Sequence, residues 1–317
     1  MAKFDVLPNE LLLRILCPFC VHCNDVHQTP AAFSLIGTTL EERQGRRQEE
    51  DRVGYSPDRQ VLYSMCLVST RFRHVAQSVL YHTLLPGSAA FRWSRDNAWT
   101  RCLSTFLRTA VRRPDLAALV QIVVVGSAVV FGPHDVVLEE ATRVLKEAAQ
   151  ARGFPLADFL RAFDPPEHLK QWGQFSINSH LLTMLLVYLP SLRWLVFPDG
   201  SNPYRIPEPA LRVAGISSLP LQALDIVAST GKKALVWDDF LKMASALRTV
   251  NIASGGSHLV QTLAPELRGL RRLCLTNNWL RPTELASILS RCERLESFIF
   301  EAGALLRFLR LPSKPVS

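Results

Sequence analysis

Apolar positions recur along this chain with two different periods, and the change from one to the other divides it. In LPNELLLRIL (7–16), Leu11, Leu12, Ile15 and Leu16 fall at i, i+1, i+4 and i+5, the spacing of one apolar stripe on a short helix. Pro8 suits a first helical turn, Asp5 is placed to cap it, and Glu10 complements the positive end of the helix dipole. Helical spacing returns at 61–84, where Leu62, Met65, Cys66, Leu67, Phe72, Val75, Ala76, Val79 and Leu80 predict one or two helices broken near Ser69 or Thr70. Either hydroxyl can accept from an orphan N–H and so cap the second helix. The intervening segment carries the charge-rich run EERQGRRQEEDR and loses the periodicity, which predicts a surface insertion over 17–60. A further helix is expected to end near Arg113, because Pro114 disfavours helical backbone at the residue before it.

Beyond this point short strand-like segments alternate with helix-like ones. Five segments share the form apolar-x-x-apolar-x-apolar: Leu192, Leu195 and Phe197; Leu221, Leu224 and Ile226; Leu247, Val250 and Ile252; Leu270, Leu273 and Leu275; Leu295, Phe298 and Phe300. Their starts are 29, 26, 23 and 25 residues apart. The ninth positions hold Gly200, Ser229, Gly255, Asn278 and Gly303, residues suited to a sharp exit from a strand. An earlier match runs from Leu119 to Val124. Strands are therefore predicted near 119–124, 192–197, 221–226, 247–252, 270–275 and 295–300. Helices are predicted over 136–153, with Gly153 as its stop, and over 180–190, 238–247 and 282–295. Two proline-rich stretches, 154–173 and 197–215, read as rim loops.

The repeat resembles the leucine-rich repeat, whose period is roughly 20–29 residues. That resemblance implies an α/β fold: a curved solenoid with a parallel sheet over 85–317. The N-terminal pair of helix patterns resembles the F-box. The residues that carry this resemblance are Leu7-Pro8-Asn9-Glu10-Leu11-Leu12-Leu13-Arg14-Ile15-Leu16 and Met65-Cys66-Leu67-Val68-Ser69-Thr70-Arg71-Phe72. The tail FRHVAQSVLYHTL is similar to the filamentous-fungal branch of that family. The resemblance implies a small helical module over 1–84 that docks on a Skp-family adaptor through Leu7, Pro8, Leu11, Ile15, Leu67, Val68, Ser69 and Phe72. Through that adaptor the chain would join a cullin–RING ubiquitin ligase as its substrate receptor, in the cytoplasm, the nucleus or both. The alternative is a leucine-rich-repeat interaction scaffold whose F-box is degenerate and takes no part in ubiquitination.

Within each repeat, the residues flanking the second apolar position point away from the core by the period-2 rule. They are Trp194, Val196, Ala223, Asp225, Thr249, Asn251, Arg272, Cys274, Ser297 and Ile299, the candidate contacts for a protein target of unknown identity.

Composition alters this picture little. The chain has 317 residues, 48% hydrophobic and 20% charged, as expected of a folded protein. The net charge of +8 reads first as a solvated basic surface; the sharper reading is an acidic or phosphorylated partner. No basic run interleaved with aromatics points to nucleic acid. No apolar run reaches the roughly 20 residues of a membrane span, and the N-terminus has no signal-peptide core. The seven cysteines read as thiols rather than a disulfide framework. Cys17, Cys20, His22, Cys23 and His27 have zinc-ligand chemistry, but they are crowded and lack a distant second pair, so no metal and no cofactor is expected. The motifs of phosphate cradles, nucleophile elbows and zinc proteases are missing, and the chain is expected not to be an enzyme.

Overall fold

A computed structural model describes residues 7–20, 23, 57–85, 98–125, 135–163, 177–197, 204–227, 238–253, 268–278 and 280–302. The expected capping residue Asp5 and most of the 17–60 insertion lie outside these residues. The fold mixes helices with a seven-stranded sheet that is parallel throughout.

Among the described residues it opens with α1 (Asn9–Leu16), α2 (Pro57–Val68) and α3 (Thr70–Leu80), with a 3-10 turn over Cys17–Phe19. The break between α2 and α3 falls at Ser69, whose hydroxyl accepts from the Phe72 N–H at 3.2 Å and caps α3. These helices close on their own small core of Leu12, Leu16, Leu62, Phe72, Val75 and Val79. Arg71 ties the start of α3 to the start of α1, donating to Asn9 Oδ1 at 3.0 Å and to the Leu7 carbonyl.

The sheet begins sooner than the expected boundary at residue 84. Strand β1 (Thr83–Leu84) pairs with β2 (Ile122–Val124), and the His82 carbonyl accepts from Gln121 N–H at 2.9 Å and Ile122 N–H at 3.0 Å. After α4 (Ala98–Arg112), the short α5 (Pro114–Ala117) and β2 come α6 (Asp135–Arg152), α7 (Leu156–Arg161), α8 (Ile177–Tyr188) and β3 (Trp194–Phe197). Then follow α9 (Glu208–Val213), β4 (Ala223–Val227), α10 (Asp238–Leu241), β5 (Thr249–Ala253), β6 (Arg272–Asn278), α11 (Pro282–Leu289) and β7 (Ser297–Ala302). Each strand pairs with the next in sequence, β1 to β7.

Strands β3 to β7 each begin two residues after the first apolar position of the repeat, and the repeat alignment is the sheet register. Leu195, Leu224, Val250, Leu273 and Phe298 pair in one row, and Val196, Asp225, Asn251, Cys274 and Ile299 in the next. The Leu195 row faces the main core with Phe197, Ile226, Ile252 and Leu275, against α4, α6, α8 and α9. Helix α8 is apolar on every side and buried from Leu181 to Tyr188, as befits a helix with neighbours all round.

Both proline-rich stretches hold a helix where loops were expected. Pro155 stands at the N-cap of α7, and Pro207 stands at the N-cap of α9 with Pro209 in its first turn. Proline at these places starts a helix, because its missing N–H is one that has no intrahelical partner anyway. Phe159 and Phe163 bury into the core, and Tyr204 accepts from Trp99 Nε1 at 2.7 Å inside it. The helices expected over 238–247 and 282–295 end early, at Leu241 and Leu289; turns carry Met243, Leu247 and Cys292 into the core instead. Gly153 ends α6 with φ +76°.

Candidate functional site

The N-terminal helices present more apolar surface than their core uses. On α1, Leu12 and Leu16 point inward, whereas Leu11 and Ile15 are 43% and 47% exposed. Adjacent residues of a helix lie about 100° apart, so the expected single stripe is two stripes, and α3 covers one of them. The same division occurs at the end of α2, where Cys66 is buried while Leu67 and Val68 are 66% and 64% exposed. The Arg71 hydrogen bonds hold this α2–α3 corner beside the start of α1.

Of the eight residues expected to meet an adaptor, Leu11, Ile15, Leu67 and Val68 are therefore outward, with exposed Pro8 and half-buried Leu7 beside them. Two have other work. Ser69 is the cap of α3, and Phe72, 3% exposed, is a core residue of the module. Phe72 lies in the first turn of α3 and packs with Leu12 and Leu16 of α1, so it can support a docking surface only from beneath.

The sheet face turned away from the main core divides by row. Trp194, Ala223, Thr249, Arg272 and Ser297 form a partly exposed row, and Ile299 is exposed. The Val196, Asp225, Asn251 and Cys274 row is buried, which removes these four from the candidate target contacts. Parallel sheets tend to bury both faces, and here Val196 packs with Ile122 and Val124 in a second apolar cluster. Asp225 is held within the sheet: Trp194 Nε1 donates to its Oδ2 at 2.7 Å, and Asn251 Nδ2 donates to its Oδ1. Burial pushes the Asp225 carboxyl up to about 8, against the opposing pull of the Asn251 and Trp194 hydrogen bonds. Asn251 Oδ1 has no hydrogen-bond partner among the described residues. On the next strands, Asn278 Nδ2 donates to the Ile252 and Thr276 carbonyls, both at 2.9 Å, so this asparagine pins the exit of β6 to β5.

A third constellation contains a residue that sequence reading left aside. His82, just past α3, lies against the segment that follows α1. Its Nδ1 is 3.3 Å from Cys23 Sγ and 3.7 Å from Cys20 Sγ, and all three ligand atoms lie within 4.8 Å of one another. The Cys23 thiol is pushed far up, first by its hydrogen bond to Cys20, then by burial, and further by the charges of Cys20 and Cys17. The spacing Cys-x-x-Cys-x-x-Cys was visible in the sequence, but nothing in a separation of 59 residues marks His82 as its neighbour. His22 and His27 lie outside the described residues.

No protein-family model, curated protein or solved structure matches this chain. Among the described residues no helix is long and apolar enough to cross a membrane.

Proposed function

We propose that the chain is the substrate-recognition subunit of an SCF-type ubiquitin ligase. Its N-terminal helices act as an F-box, and its strand repeats act as a leucine-rich-repeat solenoid. The observation that carries this reading is the pair of exposed apolar edges, Leu11 with Ile15 and Leu67 with Val68, on a module whose core is complete without them. These positions coincide with the docking residues implied by the sequence resemblance. Burial of such a patch on a Skp-family adaptor would give the apolar centre and polar rim of a specific interface. The receptor itself makes and breaks no bonds. It raises the local concentration of a bound target near a ubiquitin-charged enzyme. The target would meet the partly exposed row of Trp194, Thr249, Arg272 and Ser297, with Ile299 exposed in the adjoining row on the last strand.

The test is binding of the full chain to a purified Skp-family adaptor. The wild type is expected to form a stable complex, and Leu67→Asp with Val68→Asp to weaken it by about tenfold or more at an unchanged melting temperature. A wild-type chain that forms no complex would transfer the assignment to a repeat scaffold outside ubiquitination.

A further inference from the structure

We propose that Cys17, Cys20, Cys23 and His82 form a structural zinc site that clasps the segment after α1 to the end of α3. It is independent of any adaptor binding by the same module.

The local backbone favours it. Cys17-Pro18-Phe19-Cys20 forms a 3-10 turn closed by a 3.0 Å hydrogen bond from Cys20 N–H to the Cys17 carbonyl. Such a turn brings two thiols three residues apart to one side, and Pro18 stiffens it. Cys23 follows at the same spacing, and its Sγ lies within 4.8 Å of both Cys20 Sγ and a ring nitrogen of His82. The crowded cysteines lack a distant second pair, but His82 supplies one distant donor, reaching the cluster from 59 residues beyond Cys23.

The distances fit the ion. With Zn–S near 2.3 Å, Zn–N near 2.05 Å and tetrahedral angles, a sulfur and a nitrogen on one zinc stand about 3.6 Å apart and two sulfurs about 3.8 Å. The observed sulfur–nitrogen separations of 3.3 and 3.7 Å bracket the first figure, and the 4.8 Å limit on Cys20, Cys23 and His82 accommodates the second for the Cys20–Cys23 pair; Cys17, at the start of the turn, is the fourth donor and closes on this group when the ion binds. Three thiols and one imidazole are the donor set of a closed structural site, and soft thiolates select zinc over calcium or magnesium. As thiolates the three sulfurs would repel one another; a divalent cation at their centre reverses that. Four protein donors leave no coordination position for a substrate, the arrangement of a structural rather than a catalytic site.

The test uses the full chain, prepared under reducing conditions with zinc supplied, and elemental analysis. About one zinc per chain is expected, and a content below about one tenth would overturn the proposal. Cobalt replacement on the wild-type chain gives a readout that no folding defect can mimic. Tetrahedral d–d bands together with a thiolate charge-transfer band support the site, whereas a weak octahedral spectrum without charge transfer refutes it. Cys23→Ser and His82→Ala are expected to lose the metal, His82→Cys to retain it with a stronger charge-transfer band, and Cys292→Ser, remote in the main core, to leave it unchanged. Retention of full zinc by both Cys23→Ser and His82→Ala would also overturn the assignment.

Discussion

Asp225 and His180 sit in surroundings that disfavour their charged forms, and they pull stability in opposite directions with pH. Asp225 has its pKa raised from 3.8 to about 8 by burial, so the folded state holds a proton that the unfolded chain releases. Its contribution is fully present below 3.8 and is lost as pH rises through 8. His180, packed edge-on against Phe163 with ring centres 4.3 Å apart, has its pKa lowered from 6.5 to about 4 by burial. The unfolded chain binds that proton more readily, so this contribution is full above 6.5 and is lost as pH falls through 4. Each uncompensated proton is worth about 1.4 kcal/mol per pH unit. The two slopes oppose each other between about 4 and 6.5, and Asp225 acts alone from there to about 8. Denaturant titrations across this range are expected to show stability falling from pH 6.5 to 8 in the wild type, and no such fall in Asp225→Asn. After an amide flip at position 251, an asparagine at 225 can donate to the otherwise unpartnered Asn251 Oδ1 and still accept from Trp194. Asp225→Ala instead strands both donors and is expected to cost about 1–3 kcal/mol. The period-2 rule placed Asp225 and Asn251 on the correct face of their strands. Their depth on that face was not legible, because it depends on what the neighbouring strands bring to the same row.

At the level of single helices and strands, the division of the N-terminal helices into core-facing and outward positions predicts a clean contrast. Phe72→Ala removes a side chain from the small core and is expected to destabilise the N-terminal helices by about 3–5 kcal/mol, seen as an early unfolding transition. Leu67→Asp alters a 66% exposed position and is expected to leave that transition in place. Gly153→Ala is expected to cost about 1 kcal/mol in a thermal melt: an added Cβ meets nothing within 4 Å, so the cost is that of the left-handed backbone alone. The strands were the most readable elements. Five aligned triplets of apolar residues yielded the register of five paired strands, because each triplet has the same contacts to make with the next; the β6–β7 register shifts only beyond the triplet, between Leu275 and Asn278. The helices α7 and α9 were hidden by their prolines, since composition alone does not separate a proline that starts a helix from one that ends it. Phe72 was misplaced for a related reason: in a short motif, residues that touch a partner and residues that hold the motif together look alike.

For the molecule as a whole, His82 is shared by the helical module and the sheet, beside the Arg59 hydrogen bond to the Leu85 carbonyl and the Tyr81–Phe106 stack. The His82 side chain belongs to the cysteine cluster and its carbonyl belongs to the sheet, anchoring β2. A zinc ion held there would fix the module to the edge of the sheet as well as within itself. A metal chelator is then expected to lower the melting temperature of the full chain by several degrees, read by circular dichroism. This joint was illegible in the sequence, where residue 82 lies inside one motif and Gln121 inside another.

The order of the sheet also bears on how the chain comes to exist. Every strand pairs with the one made just before it, so a chain leaving the ribosome never holds a strand whose template has yet to be synthesised. Parallel pairing is intrinsically slow when partners are distant in sequence, and it exposes unpaired edges meanwhile. Here growth can proceed from β1 outward, each addition covering the edge left by the last. The one edge that waits is the newest, which at the end of the described sheet is β7, with Phe298 and Ile299 still open to water.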